Sequence, residues 1–321
     1  MTASDRIDEP VEKHRLITST EPMPTWNNYL LPTSLPQAFQ YIQTHNTSCQ
    51  IVSGGTDLLL ELQQGHRTPV ETLIDVTRIP ELNLIEVRDD RLFIGAAVPL
   101  KLVTVSPLVL QHALALSEAT GQIGGPQVRA VGTLGGNVGH ALPAGDGAIS
   151  LLSLDAQAEV ASAAGARRLP LDLLYKGVGV STLEPGKEII VGFDVPLQQP
   201  GQASAFSRVM RPQGVALSII NMAVWLEIQD QHIVRSRLAV GPAGPVPKQA
   251  ENVDAYLAGK EFSPETLDQA KCILHDCIQF RSSPLRATSG YRDHLAEVLL
   301  ERVLTTAFAR AQQSFIGRRQ E

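Results

Sequence analysis

Cysteine is scarce in this chain: Cys49, Cys272 and Cys277 are the three among 321 residues. So small and odd a number excludes a disulfide framework and fits a reducing, cytoplasmic setting. Long hydrophobic runs are missing as well. No stretch approaches the roughly 18 apolar residues of a membrane helix, so membrane insertion is not expected. The opening residues carry no charged-then-apolar pattern, so a targeting leader is not expected. Positive charge is not in excess, the formal net charge being −6, and the clearest basic cluster is the terminal "GRRQE". Nucleic acid is therefore not an expected partner. Hydrolytic signatures are absent too, because no G-x-S-x-G elbow occurs and His140 with Ser150 makes no triad. "CILHDC" (272–277) does not form a metal site. On a helix Cys277 points away from Cys272 and His275, and structural zinc normally takes four ligands. Iron–sulfur clusters need four cysteines, which this chain does not have.

What is present is an ordinary globular composition, 43% apolar and 19% charged, long enough for two or three domains. Residues 1–25 are polar, charged and proline-containing, and read as a flexible extension. Ser34 and Gln37 have capping-box spacing ahead of a helix over 35–44. "CQIVS" reads as a strand, "SGGTD" as a turn, "LLLELQQG" as a helix ending at Gly65, and "TLIDV" as a strand. That order makes a small parallel α/β unit. "LNLIEV" and "RLFIGA" read as a hairpin across Asp89-Asp90, and a helix is expected over 108–120. After "AISLLSLDA", a helical run, come strand-like "AEVAS", "RRLPL" and "EIIVGFDV". From Gly201 onward a three-stranded antiparallel meander, a Pro/Gly loop at 241–247 and helices near 248–257, 264–279 and 291–312 are expected.

Two Gly-Gly pairs stand out, in "SGGTD" (53–57) and "TLGGN" (133–137). Neither fits the dinucleotide fingerprint G-x-G-x-x-G, and neither is followed by the G-K-[ST] of a P-loop. Each pair can be steric punctuation. Each can also expose successive N–H groups to a phosphate. Two such loops from different subdomains would make a clamp for a pyrophosphate. Asp146, following the second pair, reads either as a helix N-cap or as an acceptor for a sugar-alcohol hydroxyl.

The runs "IVSGGTDLL", "LIDVTRIPELNLI", "LFIGAAVPL", "GGPQVRAVGTLGGNVGHALPAGDGAISLLSLDA" and "EIIVGFDVP" resemble the FAD-binding medium subunit of molybdenum hydroxylases. The similarity continues through "FSRVMRPQGVALSIIN", "LAVGPAGPVPKQAE" and "SGYRDHLAEVLLERVL", and so covers about residues 26–312. The xanthine and carbon monoxide dehydrogenases belong to that group. The resemblance implies an α+β fold: a PCMH-type FAD-binding domain of two α/β subdomains (26–82 and 83–200), then an α+β C-terminal domain (201–321) like that of carbon monoxide dehydrogenase flavoprotein.

It also implies FAD held by Ile51, Val52, Ser53, Gly54, Gly55, Thr56 and Asp57 on one side. On the other side stand Thr133, Leu134, Gly135, Gly136 and Asn137, with Asp146 as a flavin-contacting acid and Ile190 as an apolar contact. Arg129 takes a supporting role. One departure concerns charge: the family's xanthine dehydrogenases carry a lysine where this chain has Ser207, leaving Arg208 or Arg211 to supply positive charge near the flavin. Implied partners are a molybdenum-cofactor large subunit and a [2Fe–2S] small subunit, with NAD among the acceptors. A stand-alone flavin oxidase or reductase, or a non-catalytic scaffold, remains open at this stage. His140, following the second loop, reads either as a residue close to the flavin or, more commonly for such a position, as a loop histidine with no chemical role.

Overall fold

The computed structural model describes residues 25–45, 48–211, 217–283 and 287–317, with side chains to Ser314. The expected N-terminal extension falls outside the described residues, apart from Thr25.

Strand β1 (Asn28–Leu30) precedes helix α1 (Leu35–His45). Ser34 Oγ accepts from Gln37 N at 3.3 Å, but Gln37 Oε1 accepts from Thr33 N, so the reciprocal half of the cap sits one residue early. Then come β2 (Cys49–Val52), α2 (Leu58–Gln63) and β3 (Thr72–Asp75). The three strands pair in parallel in the order β1-β3-β2, as the helix–strand alternation predicts.

A hairpin follows, β4 (Ile85–Arg88) and β5 (Arg91–Gly95), turning at Asp89 with φ 53°. Six short helices come next: α3 (Leu100–Val105), α4 (Pro107–His112), α5 (Leu114–Gln122), α6 (Pro126–Val131), α7 (Leu134–Gly139) and α8 (Asp146–Ser153). The single helix expected over 108–120 is interrupted at Ala113. There the Ala115 N–H, instead of continuing the α4 ladder, donates to Ser204 Oγ at 3.1 Å. Strands β6 (Gln157–Ser162), β7 (Gly165–Pro170), the small pair β8 (Tyr175–Gly177) and β9 (Val180–Ser181), and β10 (Glu188–Pro196) complete this part. Its main sheet is antiparallel, ordered β4-β5-β10-β6-β7.

The meander of β11 (Gln202–Met210), β12 (Ser218–Gln229) and β13 (His232–Gly241) is extended by short β14 (Lys248–Gln249). Helix α9 (Glu251–Leu257), short β15 (Lys260–Glu261) on β13, α10 (Pro264–Cys277) and α11 (Ser289–Gly317) close the chain. The first of these helices begins later than expected, because residues 248–249 join the sheet.

Strand alternation sends successive side chains to opposite faces. Ala203 and Ala205 of β11 pack with Leu299, Leu300, Val303 and Leu304 of α11. Phe206, Ala223 and Ala239 face the other way and join the core built on α5, α8 and β10. The C-terminal sheet is therefore covered on both sides, which explains the near-continuous apolar run "SIINMAVWLEI". A third cluster joins Ala38, Ile74 and Val76 to Phe93, Ala161, Ile189 and Val191, so the parallel unit is seated on the five-stranded sheet. Among the described residues no helix is long and apolar enough to cross a membrane.

Candidate functional site

The first glycine pair lies in the turn from β2 into α2. Gly55 has φ +66°, a conformation that only glycine adopts readily. Gly54 presses bare backbone onto the chain ahead of the second pair. A Cβ there would collide with the Val131 carbonyl oxygen and lie 2.6 Å from Gly132 Cα. The N–H groups of Gly54, Gly55, Thr56 and Asp57 donate to nothing among the described residues; the first α2 amide to bond back is that of Leu59, to Gly55 O at 3.0 Å. Ser53 Oγ is buried and likewise without a partner. Buried polar groups are normally paired, so the enclosed Ser53 hydroxyl is unusual, and the unspent amides of this half-buried turn stand beside it.

The second pair behaves differently. Thr133 caps α7, its Oγ1 accepting from Gly136 N at 3.1 Å and its carbonyl from Asn137 N at 3.0 Å. Leu134 N donates to Val98 O and Gly135 N to Ala96 O, at 3.3 and 2.8 Å. These amides, expected to reach toward a phosphate, donate within the chain, docking α7 onto residues 96–98 and closing its first turn. Gly135 is required for that docking, since its Cβ would stand 2.6 Å from Ala96 Cβ. At Gly136 a Cβ would meet one atom, Thr133 Oγ1, in a tight contact of 3.1 Å. Asn137 Oδ1 accepts from Gly147 N at 3.0 Å and ties α7 to α8. Ile190 is half-buried, and its Cδ1 lies 3.6 Å from where a Gly139 Cβ would be. Ile51 is half-buried and Val52 buried on β2.

The two pairs share one seam. Beyond the Gly54 contact, Thr56 Oγ1 comes within 3.7 Å of a Gly132 Cβ position. His140, just after α7, places Nε2 3.0 Å from Glu61 Oε1 and Nδ1 3.9 Å from Asp57 Oδ2, while Arg67 meets Glu61 from the other side at 3.3 Å.

Asp146 and Arg208 pair with each other. Arg208 Nη1 is 2.5 Å from Asp146 Oδ2, with side chains 2% and 7% exposed. Ser218 Oγ and Asn221 Nδ2 donate to Asp146 Oδ1 at 2.8 and 2.5 Å. Burial pushes the Asp146 carboxyl up from its ordinary value, opposed by Arg208, Asn221 and Ser218. Arg208 also donates to the Gln122 carbonyl. One guanidinium therefore fastens both ends of the segment that carries the second glycine pair. The charge of Arg208, expected near the flavin, is matched by Asp146. Ser207, on the opposite face of β11, accepts from Arg302 of α11. Arg129 donates to the carbonyls of Ile123 and Gly124 and shapes the turn into α6. Arg211 lies at the edge of the described residues. His275 pairs with Glu297 at 2.6 Å, and no group of metal-binding side chains occurs among the described residues.

The model of the FAD binding domain in molybdopterin dehydrogenase matches residues 23–198, and that of the CO dehydrogenase flavoprotein C-terminal domain matches 204–307. This chain belongs to the FAD-binding subunits of molybdenum hydroxylases. It is 30% identical to the xanthine dehydrogenase FAD-binding subunit of Escherichia coli, over 83% of this chain and 91% of that one. Among solved structures it is similar to carbon monoxide dehydrogenase from Hydrogenophaga pseudoflava lacking the Mo-pyranopterin moiety of its cofactor. There the TM-score is 0.83 at 27% identity, over 88% of this chain and 98% of the other. Quinoline 2-oxidoreductase from Pseudomonas putida gives a TM-score of 0.81 at 26% identity, over 90% and 98%. The cofactor of the chain is FAD, and the chain is a flavoprotein subunit of an oxidoreductase.

Several residues around the seam had no signal of their own in the sequence. Glu61 reads as a plain helix residue, and Val131-Gly132 as a connection. Ser218 and Asn221 lie 72 and 75 residues from Asp146 along the chain, so no local pattern announces them.

Proposed function

We propose that FAD lies along the seam between the two glycine turns, with its pyrophosphate on the first. The observation that carries this reading is the run of unspent N–H groups from Gly54 to Asp57, beside the unpartnered Ser53 hydroxyl. Converging N–H groups of this kind suit a phosphate, which satisfies several donors at once. Ile51 and Val52 bring the β2 backbone up to the cofactor. Thr133, Leu134, Gly135, Gly136 and Asn137 form the facing wall, where Gly136 brings bare backbone to the surface of the seam. Ile190 supplies apolar contact under α7. Asp146 and Arg208 hold this wall from behind, the Asp146 carboxylate being taken up by Arg208, Ser218 and Asn221.

Bound flavin supplies the two-electron and one-electron redox chemistry, and the protein supplies position and electrostatics. Asp146 and Arg208 compensate each other, so their contribution to the field around the seam is dipolar. The parts of the chain divide into a PCMH-type FAD-binding domain over 26–200 and a C-terminal domain over 201–321. The subunit works in a complex with a molybdenum-cofactor large subunit and a [2Fe–2S] small subunit, relaying electrons to NAD or another acceptor.

Affinity purification of the full chain from its native cells tests this reading. Co-purifying partners with molybdenum and iron, one FAD per chain and bleaching of the flavin by NADH are the expected results. A yellow chain that turns over small molecules alone, without metal-bearing partners, would refute the subunit assignment.

A further inference from the structure

Helix α2 follows directly on the turn with the unspent donors, yet Leu62 is its one buried residue and Leu60 is 46% exposed. Packing alone therefore holds it weakly. Its polar anchor on the facing wall is the contact from Glu61 to His140, 79 residues further along the chain and immediately after α7. Arg67 fixes the Glu61 carboxylate from the far side, and Asp57, in the turn itself, stands 3.9 Å from the second imidazole nitrogen. The groups are arranged with the helix fields: a histidine at the C-terminal end of α7 meets carboxylates at the start of α2.

We infer that His140 is a positioning residue, a clasp that holds α2 and the Gly54–Asp57 turn against the second glycine wall and so slows the release of FAD. The inference rests on the placement of FAD proposed above. A partly exposed pair of this type is worth up to about 1 kcal/mol, or roughly fivefold in a rate or equilibrium constant. His140 touches no other charged group than Glu61 and Asp57 among the described residues.

The test is FAD release from the full chain, followed by recovery of free-flavin fluorescence after dilution. Release from His140→Ala is expected to be about fivefold faster than wild type, with the melting temperature of the apoprotein lowered by no more than about 2 °C. His140→Gln, whose amide can still donate to Glu61, is expected to stay within twofold of wild type. Glu61→Ala combined with His140→Ala should release no faster than either single variant, because both remove one contact. Wild-type release from His140→Ala, or independent additive effects of the two substitutions, would overturn the clasp while leaving the FAD site intact. A wild-type chain that takes up no FAD would overturn the placement of the cofactor and the clasp with it.

Discussion

Replacing Arg208 by methionine is the sharpest probe of how the two halves of this protein depend on each other. Methionine keeps most of the side-chain volume and removes the charge. Asp146 is then left 7% exposed at the start of α8, with Asn221 and Ser218 as its remaining partners. Breaking a buried ion pair from one side costs about 3–5 kcal/mol. The Gln122 carbonyl also loses its donor, adding about 1 kcal/mol. A loss near 4–6 kcal/mol corresponds to a drop of roughly 10 °C in melting temperature for a chain of this size.

The pH dependence has a definite sign. Burial already raises the Asp146 carboxyl in the folded protein, and the Coulombic effect of Arg208 opposes it. Without Arg208 the folded-state value rises further above the unfolded one. The native state then binds the extra proton, and stability falls as pH rises from the unfolded value up to the raised folded one. The Arg208→Met penalty is therefore expected to be full at neutral and alkaline pH and to shrink on acidification. Adding Asp146→Asn should recover part of the loss at neutral pH. Calorimetric unfolding of the FAD-free chain across pH 5–8 measures both effects. A penalty under about 1 kcal/mol, or one independent of pH, would refute the argument that Asp146 depends on Arg208.

Two further expectations concern the first turn. Gly54→Ala places a methyl group on the Val131 carbonyl, so the turn must move away from the second wall. FAD retention after gel filtration should fall at least tenfold while the C-terminal domain stays folded by circular dichroism; unchanged flavin occupancy would contradict the shared seam. Ser53→Ala should act with opposite signs in two assays. It removes a buried hydroxyl that has no partner, so the apoprotein should be unchanged or more stable by up to about 1 kcal/mol, whereas FAD affinity should fall about fivefold. If Ser53→Ala destabilises the apoprotein, the hydroxyl is already paired and is not waiting for a ligand.

Much of the fold was written locally. The parallel order of β1, β2 and β3 follows from strands separated by a helix, and the β4–β5 hairpin from two apolar runs joined at Asp89-Asp90. The meander of β11, β12 and β13 follows from three long apolar strands with short turns. These patterns depend on residues a few positions apart, so the sequence alone carries them, as it carries the two Gly-Gly turns and the family they belong to. The interruption at Ala113 was not legible, because its cause is Ser204, a residue of a strand not yet laid down when α4 is read.

The glycine turns show the same division within a single motif. Their composition marks them as places where backbone comes close to something, and identical dipeptides suggest identical tasks. Tertiary structure separates the tasks. The first turn keeps its N–H groups unspent, because nothing in the fold is placed to accept them. The second gives its N–H groups to Ala96, Val98 and Thr133, because α7 must dock on the chain leaving β5. Likewise, Arg208 is a charged residue in an apolar strand until alternation turns it toward Asp146, while its neighbour Ser207 faces α11. Sequence determines which groups can donate, accept or carry charge; only the packed chain decides which have already found a partner and which remain for a ligand.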